Sequence, residues 1–102
     1  MSPVARERRG RWQNENIMYY VYILKSKKDN KLYIGYTSDL KRRLAEHKSG
    51  NSKNTSYRLP IELVYYEAYK NIDDAKEREK SFKNSGSVYS GLVKRIKRSI
   101  DK

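Results

Sequence analysis

The chain predicts a small α+β domain with elements in the order β-β-α-β-α-α, on three observations. Two runs rich in tyrosine and β-branched residues lie close together across a polar turn, Tyr19 to Leu24 and Lys31 to Tyr36. A third such run, Ile61 to Ala68, follows a segment of helical character. Amphipathic segments then fill the remainder of the chain. Strands joined by a short turn pair antiparallel, and a further strand with helices laid on the sheet gives an α+β architecture. At 102 residues a single domain is the default. A chain of this size buries roughly 60–70% of its unfolded surface, so the core is modest.

The elements follow in order. Residues 1–17 hold four arginines, two glutamates and Trp12 with almost no apolar periodicity, and read as a flexible basic arm ahead of a domain spanning 18–102. Met18 directly precedes the first strand and is a candidate start of the domain. Lys25 to Asn30 is the polar turn. Thr37 or Ser38 is placed to cap a helix that begins near Asp39 and ends by Gly50, with Leu40 and Leu44 as its apolar stripe. Asn51 to Pro60 is a loop. A second helix runs from about Asp73 to Asn84, with Asn71 as cap and Gly86 as stop signal. A last helix, roughly Val88 to Ile100, carries Leu92, Val93 and Ile96 on one side.

Ten of the twelve aromatics are tyrosine, which packs its ring while keeping its hydroxyl wet and so suits a small domain with a polar working face. The 24 Lys and Arg outnumber the 12 Asp and Glu, giving a formal net charge of +12. That balance points to a polyanionic partner, nucleic acid first and an anionic membrane surface second. The absence of cysteine excludes disulfides, thiol nucleophiles and thiolate metal sites, and a single histidine excludes a His-rich zinc site. No run approaches the roughly 20 apolar residues of a membrane span, and no secretory signal is read at the N-terminus. A reducing cytoplasm is the expected location.

Side-chain alternation along the hairpin places Tyr19, Val21 and Ile23 with Leu32, Ile34 and Tyr36 on the core side. Tyr20, Tyr22, Tyr33 and Gly35 then share the opposite face. A register with Tyr22 opposite Tyr33 leaves the four-residue loop Ser26 to Asp29 and sets two phenols side by side. Gly35 beside them leaves room for a substrate backbone. Arg43 and His47 are one helical turn apart near the leucine stripe, turned toward the sheet edge. Lys41 and Arg42 face solvent or a phosphate backbone, and with Lys48 and Lys53 they are the candidate nucleic-acid-binding residues. On the second helix Ile72, Ala75 and Phe82 mark a buried face, and Glu79 falls within it. A buried carboxylate needs a cation, which is either a metal ion or Arg43. Glu77 reads as a surface partner of Arg78 or Lys80.

These residues resemble the GIY-YIG nuclease superfamily over about Tyr19 to Lys83. The second motif is intact as Tyr33-Ile34-Gly35, and Tyr20-Val21-Tyr22 stands where Gly-Ile-Tyr is usual. Arg43, His47, Thr55, Pro60 and Glu79 complete the set. The single-domain format is similar to the stand-alone bacterial branch and to the catalytic domain of structure-selective DNA-repair endonucleases. The resemblance implies a three-stranded antiparallel sheet flanked by helices and hydrolysis of phosphodiester bonds in DNA, dependent on Mg²⁺ or Mn²⁺. It implies Tyr22 as the general base, with Tyr33 holding the water or the base in place. A free phenol titrates near pH 10, and Arg43 with the metal would favour its anion. Arg43 would also stabilise charge on the phosphate. Glu79 would be the sole protein ligand of the ion, as Mg²⁺ permits by retaining water. His47 would contact phosphate or shuttle a proton, and Asn84 is the candidate for a late asparagine of the family.

Two readings therefore stand. One is a divalent-metal-dependent endonuclease. The other is a non-catalytic basic module in which Tyr20, Tyr22 and Tyr33 stack on bases. Either way the expected partner is nucleic acid, DNA foremost, for a monomer or weak dimer that a protein partner supplies with specificity.

Overall fold

In the computed structural model, residues 17–53 and 55–102 are described. Three antiparallel strands, β1 (Tyr19–Ser26), β2 (Leu32–Thr37) and β3 (Ile61–Tyr69), form one sheet in the order β2-β1-β3. The helices are α1 (Leu40–Lys48), α2 (Ile72–Asn84), α3 (Gly86–Arg95) and α4 (Lys97–Asp101), with a 3-10 turn at Ser56–Arg58. The predicted α+β class and three-stranded antiparallel sheet are what the structure has. The basic arm lies outside the described residues except for Ile17, which is exposed. Among the described residues no helix is long and apolar enough to cross a membrane.

β1 lies at the centre of the sheet, and its consecutive residues Val21, Tyr22, Ile23 and Leu24 are all buried. Val21 and Ile23 point to a core completed by Ala75, Phe82, Leu92 and Ile96 of the C-terminal helices. Tyr22 and Leu24 point the other way, into a second core with Ile61, Leu40 and Leu44. The second face is thus covered by α1 and the loop before β3, and is not an open polar surface. A bulge in the β1–β3 ladder serves both cores, since Ile23 pairs with Tyr65 whereas Leu24 pairs with Leu63. The extra residue, Val64, packs with Tyr65 in the first core, and the phase change turns Leu63 and Ile61 into the second.

The hairpin register differs from the expected one by two residues. Tyr22 pairs with Gly35, and Tyr33 pairs with Leu24. A slip of two preserves which side chains share a face, so the alternation holds while the tyrosine pair does not form, and Tyr36, expected on the core side, is 37% exposed and packs in neither core. The turn decides the register. Ser26 Oγ accepts from the Lys28 and Asp29 amides at 3.1 and 3.4 Å, and Asn30 takes a left-handed φ of 63°. These contacts lengthen the loop beyond the four residues expected.

Helix boundaries show three further differences. Asp39, not Thr37 or Ser38, caps α1, its carboxylate accepting from the Arg42 amide at 3.1 Å. Thr37 Oγ1 is engaged one step earlier, by the Asp39 amide at 3.1 Å. Gly86 is no stop signal but the first residue of α3. Ser85 ends α2 in an extended conformation, and its hydroxyl accepts from the Val88 amide at 3.3 Å. The last helix is two, broken at Ile96, whose side chain is drawn into the core at 9% exposure. Lys25 Nζ donates to the Ile100 carbonyl at 2.6 Å, placing a cation on the C-terminal end of α4. Asn71 caps α2 as predicted, through the Asp73 amide at 2.7 Å.

Candidate active site

Gly35 shapes the site. A Cβ built there would lie 2.5 Å from Tyr22 Oη and 2.6 Å from its Cζ. The Tyr22 ring therefore crosses directly over the β2 backbone. The space expected for a substrate is occupied by Tyr22 itself, which is only 4% exposed. By crossing β2, the Tyr22 hydroxyl reaches the edge of the sheet, where α2 arrives from the opposite face. A cavity of about 200 Å³ results, lined by Tyr22, Tyr33, Gly35, Arg43, His47, Thr55, Glu79 and Lys83 among others. All five sequence-predicted catalytic candidates thus come together around one space.

His47 is the best-fixed member. It is 4% exposed, with Nε2 at 3.1 Å from Tyr22 Oη and Nδ1 at 2.8 Å from Thr55 Oγ1. Thr55 is fully buried, and its hydroxyl orients the ring. Burial lowers the His47 pKa first, and the nearby Arg43 charge lowers it further against an opposing effect of Glu46. His47 is accordingly neutral at pH 7. A group whose folded pKa is depressed contributes stability that is complete above its unfolded value, about 6.5, and lost as pH falls through the folded value. Thermal unfolding followed between pH 8 and 5 should show this decline. The His47→Gln variant should show a shallower one, and parallel curves would deny His47 its buried neutral state.

Arg43 is held by Glu46, one turn on, at 2.8 Å, and approaches Ser52 Oγ at 3.5 Å. The Glu46 carboxylate, and after it the Tyr22 hydroxyl, push the Arg43 pKa up. Arg43 is therefore not the counterion of Glu79. Glu79, with 18% of its side chain exposed, has Lys83 as its cation at 3.3 Å, one turn along the same helix. Of the stripe expected around Glu79, Ala75 and Phe82 are buried, but Ile72 is 36% exposed. Burial is the main cause that raises the Tyr33 pKa, and the Arg58 guanidinium sits 5.6 Å over its ring.

The candidate nucleic-acid-binding residues scatter. Lys53 lines a larger concavity next to the site. Lys41 borders another, with Tyr20 and Tyr66, away from the catalytic candidates. Arg42 is exposed and engaged by Asp39 and Glu46, at 3.6 and 2.9 Å. Lys48 is exposed in the last turn of α1, and Asn84, exposed at the end of α2, does not line the cavity. Sequence reasoning missed Lys83 and Glu46, although each stands three or four residues from a candidate on the same helix, where side chains are neighbours. It also missed the partner of Arg78, which is Glu67 on β3 and not Glu77.

Residues 18–90 match the family described as the GIY-YIG catalytic domain. Two UPF0213 proteins of Streptococcus pyogenes, from serotypes M5 and M28, are each 48% identical over 65 residues, covering 63% of this chain and 70% of theirs. The solution NMR structure of a UPF0213 protein from Bacillus halodurans superposes with a TM-score of 0.50 at 38% identity, covering 76% of this chain and 83% of that one.

Proposed function

Because this chain belongs to the GIY-YIG catalytic-domain family, we propose that it is a divalent-metal-dependent endonuclease hydrolysing phosphodiester bonds of DNA. The observation that carries the proposal is the convergence of Tyr22, His47, Arg43 and Glu79, from three elements, on one 200 Å³ cavity. A basic module that only binds has no need for a buried tyrosine–histidine contact or for a carboxylate facing the anion. Tyr22, at 4% exposure, is also too enclosed to stack on a base.

The donor set suits a hard cation that keeps most of its water. Among the described residues Glu79 is the one carboxylate lining the cavity, and no cluster of three His, Cys, Asp or Glu exists among them. Its partner Lys83 is about half exposed and free to swing away. Glu79 would hold Mg²⁺ or Mn²⁺ through that single carboxylate. The bound ion would supply Lewis-acid polarisation of the phosphate and stabilise the leaving oxygen.

The chain's own groups do the rest. A neutral imidazole has one donor and one acceptor nitrogen. With Nδ1–H donating to Thr55, Nε2 accepts from the Tyr22 hydroxyl. Tyr22 takes a proton from the attacking water as its own proton passes to His47, so the pair removes one proton without accumulating a free phenolate. Arg43, pre-positioned by Glu46, faces the charge growing on the phosphate. Tyr33 at the cavity rim orients the water.

The test is cleavage of labelled single-stranded, duplex, flap and four-way-junction DNA, and of RNA, with Mg²⁺, Mn²⁺ or EDTA. Cutting should require metal, and Glu79→Gln should cut at least about 100-fold more slowly with DNA binding retained. Undiminished cutting in Glu79→Gln would remove the metal role. Salt-sensitive binding without product under every metal would favour the non-catalytic module.

A further inference from the structure

Beside the catalytic cavity lies a larger open groove of about 670 Å³ that shares Tyr33 and Lys83 with it. Tyr33, Tyr57 and Tyr89 supply aromatic surface, Lys53 and Lys83 supply charge, and among the described residues no acidic one lines it. Tyr57 belongs to no core. It is 62% exposed, yet it stands on a segment pinned to the β1–β2 turn by several contacts. Ser26 Oγ donates to the Arg58 carbonyl at 2.7 Å, the Lys27 amide to the Pro60 carbonyl at 2.8 Å, and Lys28 Nζ to the Tyr57 carbonyl at 3.2 Å. The Arg58 guanidinium, paired with Asp29, lies 4.9 Å over the Tyr57 ring and 5.6 Å over the Tyr33 ring. One cation thus fixes two tyrosines along the same groove.

An exposed aromatic held on a pinned segment offers a ligand a stacking surface that is already ordered, so little further entropy is lost on binding. Aromatic faces interleaved with lysines and free of carboxylates are complementary to an unpaired strand. Bases stack on the rings irrespective of sequence, and phosphates meet the ammonium groups. A volume within the roughly 300–1,000 Å³ of ligand sites accommodates a nucleotide. A paired base in a continuous duplex cannot offer its face to a side chain.

We propose that this groove is a subsite for an unpaired nucleotide flanking the scissile phosphate, with Tyr57 as the stacking platform, so that the preferred substrate is single-stranded or has a single-stranded arm. The position beside the scissile phosphate rests on the nuclease reading, whereas the stacking itself does not.

The test is equilibrium binding in EDTA, where no cleavage intervenes. The probes are a fluorescent single-stranded oligonucleotide carrying 2-aminopurine, the duplex of the same sequence, and the RNA equivalent. Tyr57→Ala should weaken single-strand binding about tenfold or more and abolish 2-aminopurine quenching. Tyr57→Trp should preserve both, and duplex affinity should not change. Equal loss on single strand and duplex, or no loss on either, overturns the subsite. The RNA arm tells whether the groove discriminates the sugar. Cleavage by the wild-type protein with Mg²⁺ is scored separately. If it cuts but Tyr57→Ala binds single strands normally, only the subsite fails. If nothing is cut while the Tyr57 dependence holds, the nuclease reading fails and the groove stands as a single-strand binding site.

Discussion

Gly35→Ala is expected to lower cleavage by about a thousandfold, within the range that general acid–base groups contribute, while the domain remains folded. The backbone does not demand glycine here, since the described glycine with positive φ is Gly50, at 85°. The demand comes from Tyr22, whose Oη and Cζ would be 2.5 and 2.6 Å from the new methyl group. The ring cannot retreat, because it is packed with Leu24, Ile61, Leu40 and Leu44. It has to rotate off β2, which breaks the 3.1 Å contact with His47. Overpacking of this kind costs about 1–3 kcal/mol, less than a typical domain's stability of about 5–15 kcal/mol. A four-protein cycle of wild type, Gly35→Ala, Tyr22→Ala and the double variant, followed by urea unfolding and cleavage, isolates the cause. In the Tyr22→Ala background the extra methyl should cost almost nothing. If it costs as much there as in the wild type, the clash with Tyr22 is not the reason for the glycine. If Gly35→Ala cuts normally, Tyr22 is not the base.

Loss of the Glu67 carboxylate should strongly destabilise the fold. Its oxygens accept from the hydroxyls of Tyr65 and Tyr69 and from Arg78 Nε and Nη2, the latter at 2.9 and 3.1 Å. Arg78 in turn lies 4.2 Å over the Phe82 ring. Burial works to raise the Glu67 pKa, but the hydrogen bonds from Arg78, Tyr65 and Tyr69 outweigh it and hold the carboxyl below its ordinary value. Glu67→Ala strands four donors beside the core. Removing one partner of a buried pair costs about 3–5 kcal/mol, but Arg78 is partly solvated, so about 2–4 kcal/mol is expected. At roughly 4–8 °C per kcal/mol for a domain of this size, Tm should fall by about 8–32 °C. By contrast, Glu62→Ala, which removes an exposed partner of Lys27 at 3.9 Å, should lie within about 0.5 kcal/mol of wild type.

A spectroscopic readout accompanies this. Desolvation, then Glu67, pushes Tyr65 and Tyr69 up to about 12. Because these pKa values are raised, the neutral phenols stabilise the fold below the unfolded value of about 10, and that contribution is lost as pH rises toward 12. The depressed Glu67 acts in the opposite direction, contributing above its unfolded pKa and losing its effect in acid. Absorbance titration should therefore show late-titrating tyrosines in the wild type that ionise earlier in Glu67→Ala. Unchanged Tm and an unchanged titration together would show that the cluster is incidental.

Much of the fold follows from local pattern. Alternation told which hairpin residues share a face, turn chemistry separated the strands, Asn71 announced α2, and the spacing of Tyr22, Tyr33, Arg43, His47 and Glu79 marked residues that meet in one cavity. These are properties of one residue and its near neighbours, which periodicity encodes. Register was out of reach, because a two-residue slip leaves the face pattern unchanged and only the hydrogen bonds around Ser26 and Asn30 choose between the alternatives. The capping of two adjacent helices by Ser85 hid the boundary that Gly86 had suggested. Counterions were misassigned for a related reason. Arg43 takes Glu46 and Arg78 takes Glu67, since a charge pairs with what packing brings within reach, and several carboxylates are equally eligible by sequence. The sequence by itself determined the strands, the helices and the side chains of the candidate site. Only the tertiary structure decided that Tyr22 lies across Gly35, that His47 sits buried between Tyr22 and Thr55, and that three tyrosines line a groove next to the cavity. Those facts depend on contacts between residues far apart in the chain, and no local preference specifies them.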